Sequence, residues 1–344
     1  MPRAREDSEL SSAVDDAKRS KRLVNTAFAV GVGSVFQPLQ VSKVLIQLGH
    51  EPFPLEKGRA WGLFGREKRF LPNGFVYAKR LYQNFGLSAI YRGATASICG
   101  NFVGVVTTMV TEDHLTKYYG MGDNDENTVR SNEPHADAKK FVRRVARGTL
   151  SKTAGIVVAR PFQVVMIRMI AQHVGGETTY QNVFGSLRQI YKEEGLPGLF
   201  AGLVPQIACE LCIYWTVSSA SYVFEYLWKS YVEKESRDDD ELDEDRLDST
   251  SPPKTLKSII HFMVPYVVNS IFYPLQLVST VMAVNGTSLV AGTQPFIPVY
   301  PTWQDCYYDL KTKDQLKRGA KMFFRFYEKP LTYSFGHMYA LPNA

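Results

Sequence analysis

Charged side chains inside long apolar segments are the residues of this chain whose type and position could do chemistry. Lys43, Arg168 and Glu210 each lie in such a segment. A charge in a membrane-length apolar helix is costly, and it usually pairs with another group or lines a polar cavity. The chemistry open to these residues is therefore electrostatic. They could lower the cost of moving a polar group through hydrocarbon, which is several kcal/mol for an unsatisfied polar group.

Four further residues extend this predicted polar path. Asn101 stands 109 residues before Glu210, at the corresponding position of an earlier apolar segment. Lys152 and Arg160 lie in the most polar of the apolar segments, and His261 lies in the last one. Together with the three charges above, these residues predict a hydrophilic path of mixed sign.

Two structural interpretations of the charged residues stay open beside the functional one. Lys43 and Arg168 could extend to the membrane interface or cap the backbone of a neighbouring helix. Glu210 could accept a hydrogen bond that only stiffens packing. In the functional interpretation, Glu210 partly neutralises Lys43 or Arg168.

No set of residues predicts covalent catalysis. Cys209 and Cys212 form a C-x2-C pair, but no second cysteine or histidine pair follows, so we expect buried thiols and no metal site. No phosphate-binding loop, metal-ligand cluster or nucleophile–base set stands out. We therefore expect a protein that is not an enzyme and binds no cofactor.

The charges of the 344 residues are strongly segregated along the chain. Residues 23–42, 93–111 and 258–304 carry no charged side chain, and residues 203–228 carry only two. Several of these segments reach the ~20 residues that a membrane-spanning helix needs. A large soluble helical core is the alternative to a membrane protein.

The net charge of +6 hides an acidic segment. Residues 233–248 have a net charge of −7, which leaves +13 for the rest of the chain. A basic membrane protein suits anionic lipid head groups, and phospholipids are expected partners. Nothing resembles a nucleic-acid-binding motif, so nucleic acid is not expected. The acidic segment is expected to be a solvated linker, although it could attract basic flanks of partner proteins.

An internal repeat organises the apolar segments. A proline followed two residues later by a glutamine occurs three times, at Pro38 and Gln40, at Pro161 and Gln163, and at Pro274 and Gln276. A proline in a membrane helix kinks it, while neighbouring helices satisfy the freed backbone groups.

A second signal follows each of these prolines in the same order. The signal is a glycine, then any four residues, then an aromatic residue that is usually followed by a basic residue and a glycine. It occurs as GLSAIYRG (86–93), GLPGLFAG (195–202) and GAKMFFRF (319–326). Two linked signals repeated three times indicate a threefold helical repeat. Each repeat is predicted as a kinked first helix, a loop, a short amphipathic helix, a turn and a second helix.

The predicted fold is an all-α membrane protein with five spanning helices. The first helices of the repeats are expected at 23–49, 146–173 and 256–284, and the second helices at 94–118 and 203–230. The nineteen residues after Arg325 include charges and two prolines, so they are not expected to form a sixth span. The predicted divisions are a polar tail (1–22), repeat 1 (23–118), a linker (119–145), repeat 2 (146–230), an acidic linker (231–255), a degenerate repeat 3 (256–326) and a C-terminal tail (327–344).

The proline motif followed by the aromatic–glycine turn resembles the repeat of the mitochondrial solute carriers over about residues 23–326. In that family an acidic residue stands two positions after the proline and a basic residue five positions after it, and these residues pair between repeats to close a transport cavity. Here the three glutamines occupy the acidic position, and Lys43, Met166 and Ser279 occupy the basic one. No carboxylate–base pair is therefore expected between repeats at this level.

A narrower resemblance is to the mitochondrial carrier homolog proteins. It rests on PLQVSKVLIQLGHEPFP (38–54), YKEEGLPGLFAGLVPQ (191–206), LVSTVMAVNGTSLVAG (277–292) and PVYPTWQDC (298–306). Those proteins are divergent carriers of the outer mitochondrial membrane that also lack the acidic gate and a proper sixth helix. The resemblance implies that a missing helix leaves the polar cavity open sideways to lipid, as a groove.

The same resemblance implies an activity. Carrier homologs act as insertases for α-helical membrane proteins of the outer membrane, especially tail-anchored ones. They also serve as receptors for a pro-apoptotic BH3 protein and as lipid scramblases. The expected function is therefore membrane insertion through the groove, with lipid scrambling and solute transport as alternatives.

Overall fold

The structure is a computed structural model. It describes residues 20–340 apart from gaps at 22–23, 27, 29–30, 60–66, 119–133, 239–253, 295, 329 and 335–336. The N-terminal tail, most of the first linker and most of the acidic segment predicted above thus lie outside the described residues.

Ten α-helices and four short strands are described within these ranges. The helices are α1 (Val24–Val35), α2 (Gln37–Gln47), α3 (Gly74–Phe85), α4 (Leu87–Ile90), α5 (Ala94–Tyr118), α6 (Pro134–Ala171), α7 (Val183–Leu199), α8 (Leu203–Asp238), α9 (Lys254–Val284) and α10 (Trp303–Thr312). The strands are β1 (Glu56–Arg59), β2 (Glu67–Phe70), β3 (Leu331–Ser334) and β4 (His337–Ala340), and a 3-10 turn spans Val290–Gly292.

Four of these helices are long and apolar enough to span a membrane, and α1 with α2 makes a fifth candidate if the bent pair is one span. The prediction of a helical multi-pass protein is confirmed at this level. α5 begins and ends at the predicted residues. In contrast, α6 begins inside the predicted linker, and α8 continues to Asp238. Phe141 of α6 stacks on Tyr222 of α8 with ring centroids 4.4 Å apart, so packing contacts extend into the first predicted linker.

The three prolines do not have the same effect on the backbone. α6 runs through Pro161 and α9 runs through Pro274 as single helices. In repeat 1 the chain instead breaks at Phe36, and α1 and α2 meet at an angle of 64°. The sharp bend is therefore a property of repeat 1 alone.

Glycine at the end of the aromatic turn lets repeat 1 approach repeat 2 and repeat 2 approach repeat 3. Gly93 and Gly202 have φ of 82° and 67°, in the left-handed region that favours glycine. A Cβ on Gly93 would lie 3.1 Å from the carbonyl oxygen of Met166, and one on Gly202 would lie 2.5 Å from that of Ser279. Phe326 stands at this position in repeat 3 and packs against Phe70, with ring centroids 5.0 Å apart.

Small residues bring α5 and α6 into close contact. A Cβ on Gly155 would lie 2.8 Å from the carbonyl oxygen of Gly104, and a Cβ on Gly104 would lie 3.1 Å from the Cβ of Ala159. Such close backbone approach is how apolar helices associate where lipid removes the hydrophobic driving force. The second helix of repeat 1 is thereby fixed on the first helix of repeat 2.

Short helices follow the first helix of each repeat, as predicted. α3 is capped by the Asn73 side chain, which accepts a hydrogen bond of 2.8 Å from the Val76 amide. α10 begins with a capping box between Thr302 and Asp305. These caps satisfy amide groups that a helix start leaves without partners.

The C-terminal segment differs from the tail predicted at 327–344. β3 and β4 pair as an antiparallel hairpin, and the amide of Leu55 donates to the carbonyl of Met338 over 2.8 Å. The amide of Tyr327 likewise donates to the carbonyl of Arg69 over 3.0 Å. The segment is thus ordered by pairing with the loop that follows α2, and in the described residues after Val284 the only α-helix is α10.

Candidate functional site

The three motif glutamines lie half-buried at one level of the repeats. Gln40 Nε2 donates to Met166 Sδ over 3.2 Å, and Lys43 Nζ lies 3.5 Å from Gln276 Oε1. Each contact joins the second residue after the proline in one repeat to the fifth residue after the proline in another. The inter-repeat geometry of this level therefore persists although the charges that the resemblance implies are replaced.

No carboxylate contributes to this ring of contacts within the described part of the chain. Gln163 has no side-chain hydrogen bond there, and the Ser279 hydroxyl, in the basic position of repeat 3, donates to the Gly202 carbonyl over 2.9 Å. The contacts of Gln40 and Ser279 are neutral hydrogen bonds, which contribute about 1 kcal/mol each. Lys43 is the only ionisable side chain among these positions, and it meets a neutral amide at 3.5 Å, so no ion pair holds the ring.

Lys43 contacts an aromatic ring as well as an amide. Its Nζ lies 5.5 Å from the centroid of the Tyr273 ring, in addition to the contact with Gln276. Glu210 instead accepts a hydrogen bond of 3.3 Å from Gln206, one helical turn earlier on α8. The predicted neutralisation of Lys43 by Glu210 is therefore not a direct contact in the structure. Both side chains are half-buried.

Arg160 holds repeats 2 and 3 together, and it does not face an open path. Its side chain is buried, Nε donates to the Ala201 carbonyl over 2.9 Å, and Nη2 donates to the Ser279 carbonyl over 3.1 Å. A guanidinium is a suitable cap for two carbonyls because it offers five fixed donors. We therefore assign Arg160 to packing between repeats, which corrects its predicted place in the polar path.

Arg168 is likewise buried and structural. Its Nη1 and Nη2 donate to the two carboxylate oxygens of Glu194 over 2.5 and 2.7 Å, and Nε donates to the Ala283 carbonyl over 2.9 Å. The side chain has no exposed surface. The structure thus agrees with the alternative in which Arg168 caps a neighbouring backbone, and the partner of its charge is Glu194 and not Glu210.

The other predicted path residues do not meet at one place. Asn101 is exposed on α5, and its side chain makes no hydrogen bond within the described residues. Lys152 is half-buried, with Nζ 5.0 Å from the centroid of the Tyr214 ring. His261 belongs to α9, but its side chain lies outside the described residues. Among the residues predicted for the site, the structure brings Lys43 into contact with Gln276.

Two ion-pair partners were not found from the sequence. Glu194 follows the apolar segment of repeat 2 on α7, and Glu51 lies in the loop after α2, where it pairs with the buried Arg325. Arg325 also donates to the Pro72 carbonyl over 3.0 Å. Both acids lie outside the apolar runs, so a search confined to those runs misses them. The signal that could have pointed to these acids is the presence of their arginine partners in apolar or aromatic stretches, where a charge needs a partner.

Thiols and metal ligands add nothing further to the site. Cys209 is buried and donates to the Phe272 carbonyl over 3.5 Å. No group of three histidine, cysteine or acidic side chains is placed to hold a metal ion in the described ranges.

Two histidines stand at equivalent positions beyond the spanning helices. His50 and His173 each lie twelve residues after the repeat proline, and a ring nitrogen of His173 lies 3.1 Å from the Ala89 carbonyl oxygen. Burial, and then the charge of the nearby His173, lower the pKa of His50 from 6.5 to about 4. Burial and then the Arg92 charge lower the pKa of His173 to about 4, against the opposing hydrogen bond to Ala89.

Stability is expected to fall on acidification because of these histidines. In the unfolded chain each imidazole takes up a proton near its ordinary pKa of about 6.5, whereas in the folded chain it does so only near 4. The stability that the neutral histidines contribute is therefore complete above about pH 6.5 and is lost as the pH falls towards 4. We expect a lower melting temperature at about pH 5 than at about pH 7. The variant with His50→Gln and His173→Gln should show a smaller difference. Melting temperatures are to be measured by intrinsic fluorescence. If acidification lowers the melting temperature equally in both proteins, this assignment is wrong.

Comparisons with known proteins place these features among carriers. The model of the family described as mitochondrial carrier protein matches residues 137–228. The chain is 30% identical to mitochondrial carrier homolog 2 of Mus musculus over 300 residues, which cover 86% of this chain and 91% of that protein. It is 30% identical to mitochondrial carrier homolog 1 of Mus musculus, over 90% of this chain and 78% of that protein. The mitochondrial 2-oxodicarboxylate carrier of Mus musculus is 28% identical over 53% of this chain and 55% of that protein.

Proposed function

Because this chain belongs to the mitochondrial carrier homolog family, a divergent branch of the mitochondrial carriers, we propose that it inserts α-helical proteins into the outer mitochondrial membrane. Tail-anchored proteins are the clients that suit it best, since only a short polar segment must follow their single helix across the bilayer. The activity needs no bound cofactor. The protein is a mitochondrial multi-pass membrane protein, and the outer membrane is part of the proposal.

The half-buried ring of Lys43 and the motif glutamines, which contains no carboxylate among the described contacts, is the observation that carries this proposal. A polar segment in hydrocarbon costs several kcal/mol for each unsatisfied group. Gln40, Gln163 and Gln276 offer hydrogen-bonding groups at this level, and Lys43 offers a charge. A segment that passes beside them exchanges part of its lost hydration for these contacts.

Solute transport is less well supported than insertion. A carrier that alternates between two closed states needs contacts strong enough to close each side in turn. The described ring has one amide-to-sulfur contact and one lysine-to-amide contact, and no ion pair. Breaking and re-forming it would gate a cavity only weakly.

Lipid scrambling is a second candidate, favoured by the same half-buried polar residues. A zwitterionic head group that crosses the bilayer faces the same cost as a polar peptide segment. One polar surface could therefore serve lipids and client tails alike.

Purified full-length protein in liposomes separates these activities. Insertion of a tail-anchored reporter, flipping of a labelled phospholipid and exchange of small carboxylates should be followed in the same vesicles. Reporter insertion above the level of protein-free vesicles supports the proposal. Solute exchange without insertion would overturn it, and lipid flipping without insertion would favour the second candidate.

Charge changes at the ring should alter insertion according to the charge of the client's tail. Lys43→Glu places a negative charge at the ring, so reporters with an acidic tail should insert several-fold more slowly and those with a basic tail faster. Glu210→Lys should have the opposite effect. Insertion rates are to be compared per folded molecule. If both variants insert both reporters at the rate of the unchanged protein, these two side chains do not line the path.

A further inference from the structure

The first helices of repeats 2 and 3 are both covered at the same two positions. Six and two residues before the repeat proline stand Gly155 and Ala159 in repeat 2, and Val268 and Phe272 in repeat 3. Gly155 is buried, Ala159 and Val268 are 4% and 5% exposed, and Phe272 is half-buried. The covering element is each time the second helix of the preceding repeat, which is α5 on α6 and α8 on α9.

The covering helices also use equivalent residues. Gly100 of α5 and Cys209 of α8 are 109 residues apart, as are their turns. A Cβ on Gly100 would lie 3.7 Å from the Ala159 carbonyl oxygen, and Cys209 Sγ lies 3.5 Å from the carbonyl oxygen of Phe272. We call the interface between consecutive repeats a seam. At both of these seams a small residue thus contacts the backbone two residues before the proline.

Repeat 1 exposes these positions. Val32 and Phe36, which stand six and two residues before Pro38, are 41% and 57% exposed. Gly31 and Gly33 beside them have no atom within 4 Å of where a Cβ would be. The position three residues before the proline is exposed in all three repeats, at Val35, Val158 and Ile271. The difference is therefore confined to the helix face that a neighbouring helix covers in repeats 2 and 3.

The seam between repeat 3 and repeat 1 is also wider at its end. A cavity of about 990 Å3 lies there, lined in part by Gly49, Tyr266, Lys321 and Phe324. The cavity at the corresponding end of the seam between repeats 1 and 2 measures about 340 Å3. Phe326 replaces the turn glycine that closes the other two seams.

The described chain supplies no helix to cover this third seam. After α9 it contains the ten-residue helix α10 and the hairpin of β3 and β4. The described residues that are exposed here, 31–33 and 35–36, carry no charge, so this surface suits an apolar helix and not a charged one.

We propose that the transmembrane helix of a client docks at the third seam, against Val32 and Phe36, in the place that α5 takes on α6 and α8 takes on α9. The inference rests on the proposed insertase function and names where its substrate binds. The two occupied seams specify the preferred occupant, an apolar helix with a glycine, alanine, serine or cysteine where it crosses Phe36. The docked helix lies on the α1 side of the opening, so its polar flank can reach the ring at Lys43.

Photo-crosslinking at adjacent positions tests the docking site. The full-length protein carries benzoylphenylalanine at position 36 or, as the matched control, at position 35, where Val35 is exposed like its equivalents Val158 and Ile271. The probe is a tail-anchored reporter with an apolar helix and a central glycine, added to the protein in phosphatidylcholine vesicles. Both sites are exposed, so folding should not depend on the substitution. Reporter adducts should be several-fold more abundant at position 36, and a reporter with leucine in place of the glycine should reduce them.

The outcomes separate the docking site from the function. Equal reporter adducts at positions 35 and 36, or adducts at position 36 mainly to a second copy of this chain, would overturn the proposal. Reporter insertion by the unsubstituted protein without a preference for position 36 would overturn the docking site and leave the insertase function standing. A clear preference for position 36 without insertion would overturn the function and support helix binding at the seam.

Discussion

Replacing Arg168 with alanine is expected to destabilise the protein by about 3 kcal/mol, the lower end of the cost of breaking a buried ion pair, because the Glu194 side chain keeps 27% of its surface exposed. The guanidinium is fully buried and joins three helices, through Glu194 on α7 and the Ala283 carbonyl at the end of α9. Alanine leaves the carboxylate without its bidentate partner and the carbonyl without its donor. The detergent-solubilised variant should therefore melt at a much lower temperature or fail to accumulate as a folded protein.

Two matched variants distinguish this role from a general loss of positive charge. Arg188 lies exposed on α7, so Arg188→Ala should leave the melting temperature almost unchanged. Arg168→Lys keeps the charge but loses the planar two-point contact, and its melting temperature should fall between those of the other two. Thermal unfolding followed by tryptophan fluorescence measures all three. Equal melting temperatures for Arg168→Ala and Arg188→Ala would show that the buried pair does not stabilise the fold.

The helices themselves follow from local patterns in the sequence. Charge-free runs and the repeated proline place α5 and the spanning parts of α6, α8 and α9, because a helix satisfies its own backbone and needs only an apolar surface in lipid. The extra turns at the start of α6 could not be found in this way. They depend on contacts such as Phe141 with Tyr222, between residues far apart in the chain.

The bend in repeat 1 shows the same limit. Pro38, Pro161 and Pro274 predict similar kinks, yet only the chain before Pro38 breaks sharply. Repeat 1 also differs in its surroundings, because Phe36 is 57% exposed whereas the carbonyls of its equivalents Ala159 and Phe272 face a neighbouring helix. Such neighbours are not a property of the local sequence. The C-terminal hairpin was missed for a similar reason, since its short strands are held partly by the loop at Leu55.

The sequence points to individual residues of the candidate site but not to the partners that fix their roles. The sequence predicts a polar path from ionisable residues in apolar runs, but polarity alone cannot tell a side chain that lines a path from one that bonds to buried carbonyls. Arg160 and Arg168 belong to the second group because their partners, Ala201 and Glu194, lie on other elements. Lys43 stays in the proposed path because its partners are a neutral amide and an aromatic ring and not buried carbonyls.

Restoring one carboxylate to the ring, with Gln276→Glu, is expected to close it and to slow client insertion about tenfold, which corresponds to about 1.4 kcal/mol. Lys43 Nζ already lies 3.5 Å from Gln276 Oε1, so the new carboxylate needs no rearrangement to form an ion pair. Such a pair at about 4 Å gains about 4 kcal/mol at an effective dielectric constant near 20, and desolvation of the new charge offsets part of this. The melting temperature should rise while insertion slows, because the same contact stabilises the ring and occupies the charge beside the path.

A double-mutant cycle with Lys43→Met assigns this effect to the new pair. In the methionine background the carboxylate has no cation across the seam, so Gln276→Glu should lower the melting temperature and should not slow insertion further. A direct contact is indicated if Gln276→Glu raises the melting temperature in the chain that keeps Lys43 and lowers it in the Lys43→Met background. If Gln276→Glu slows insertion equally in the chain that keeps Lys43 and in the Lys43→Met background, the carboxylate acts on the client itself and not through the ring. That result would mean that the path runs beside α9 and does not depend on whether the contact between repeats 3 and 1 is open.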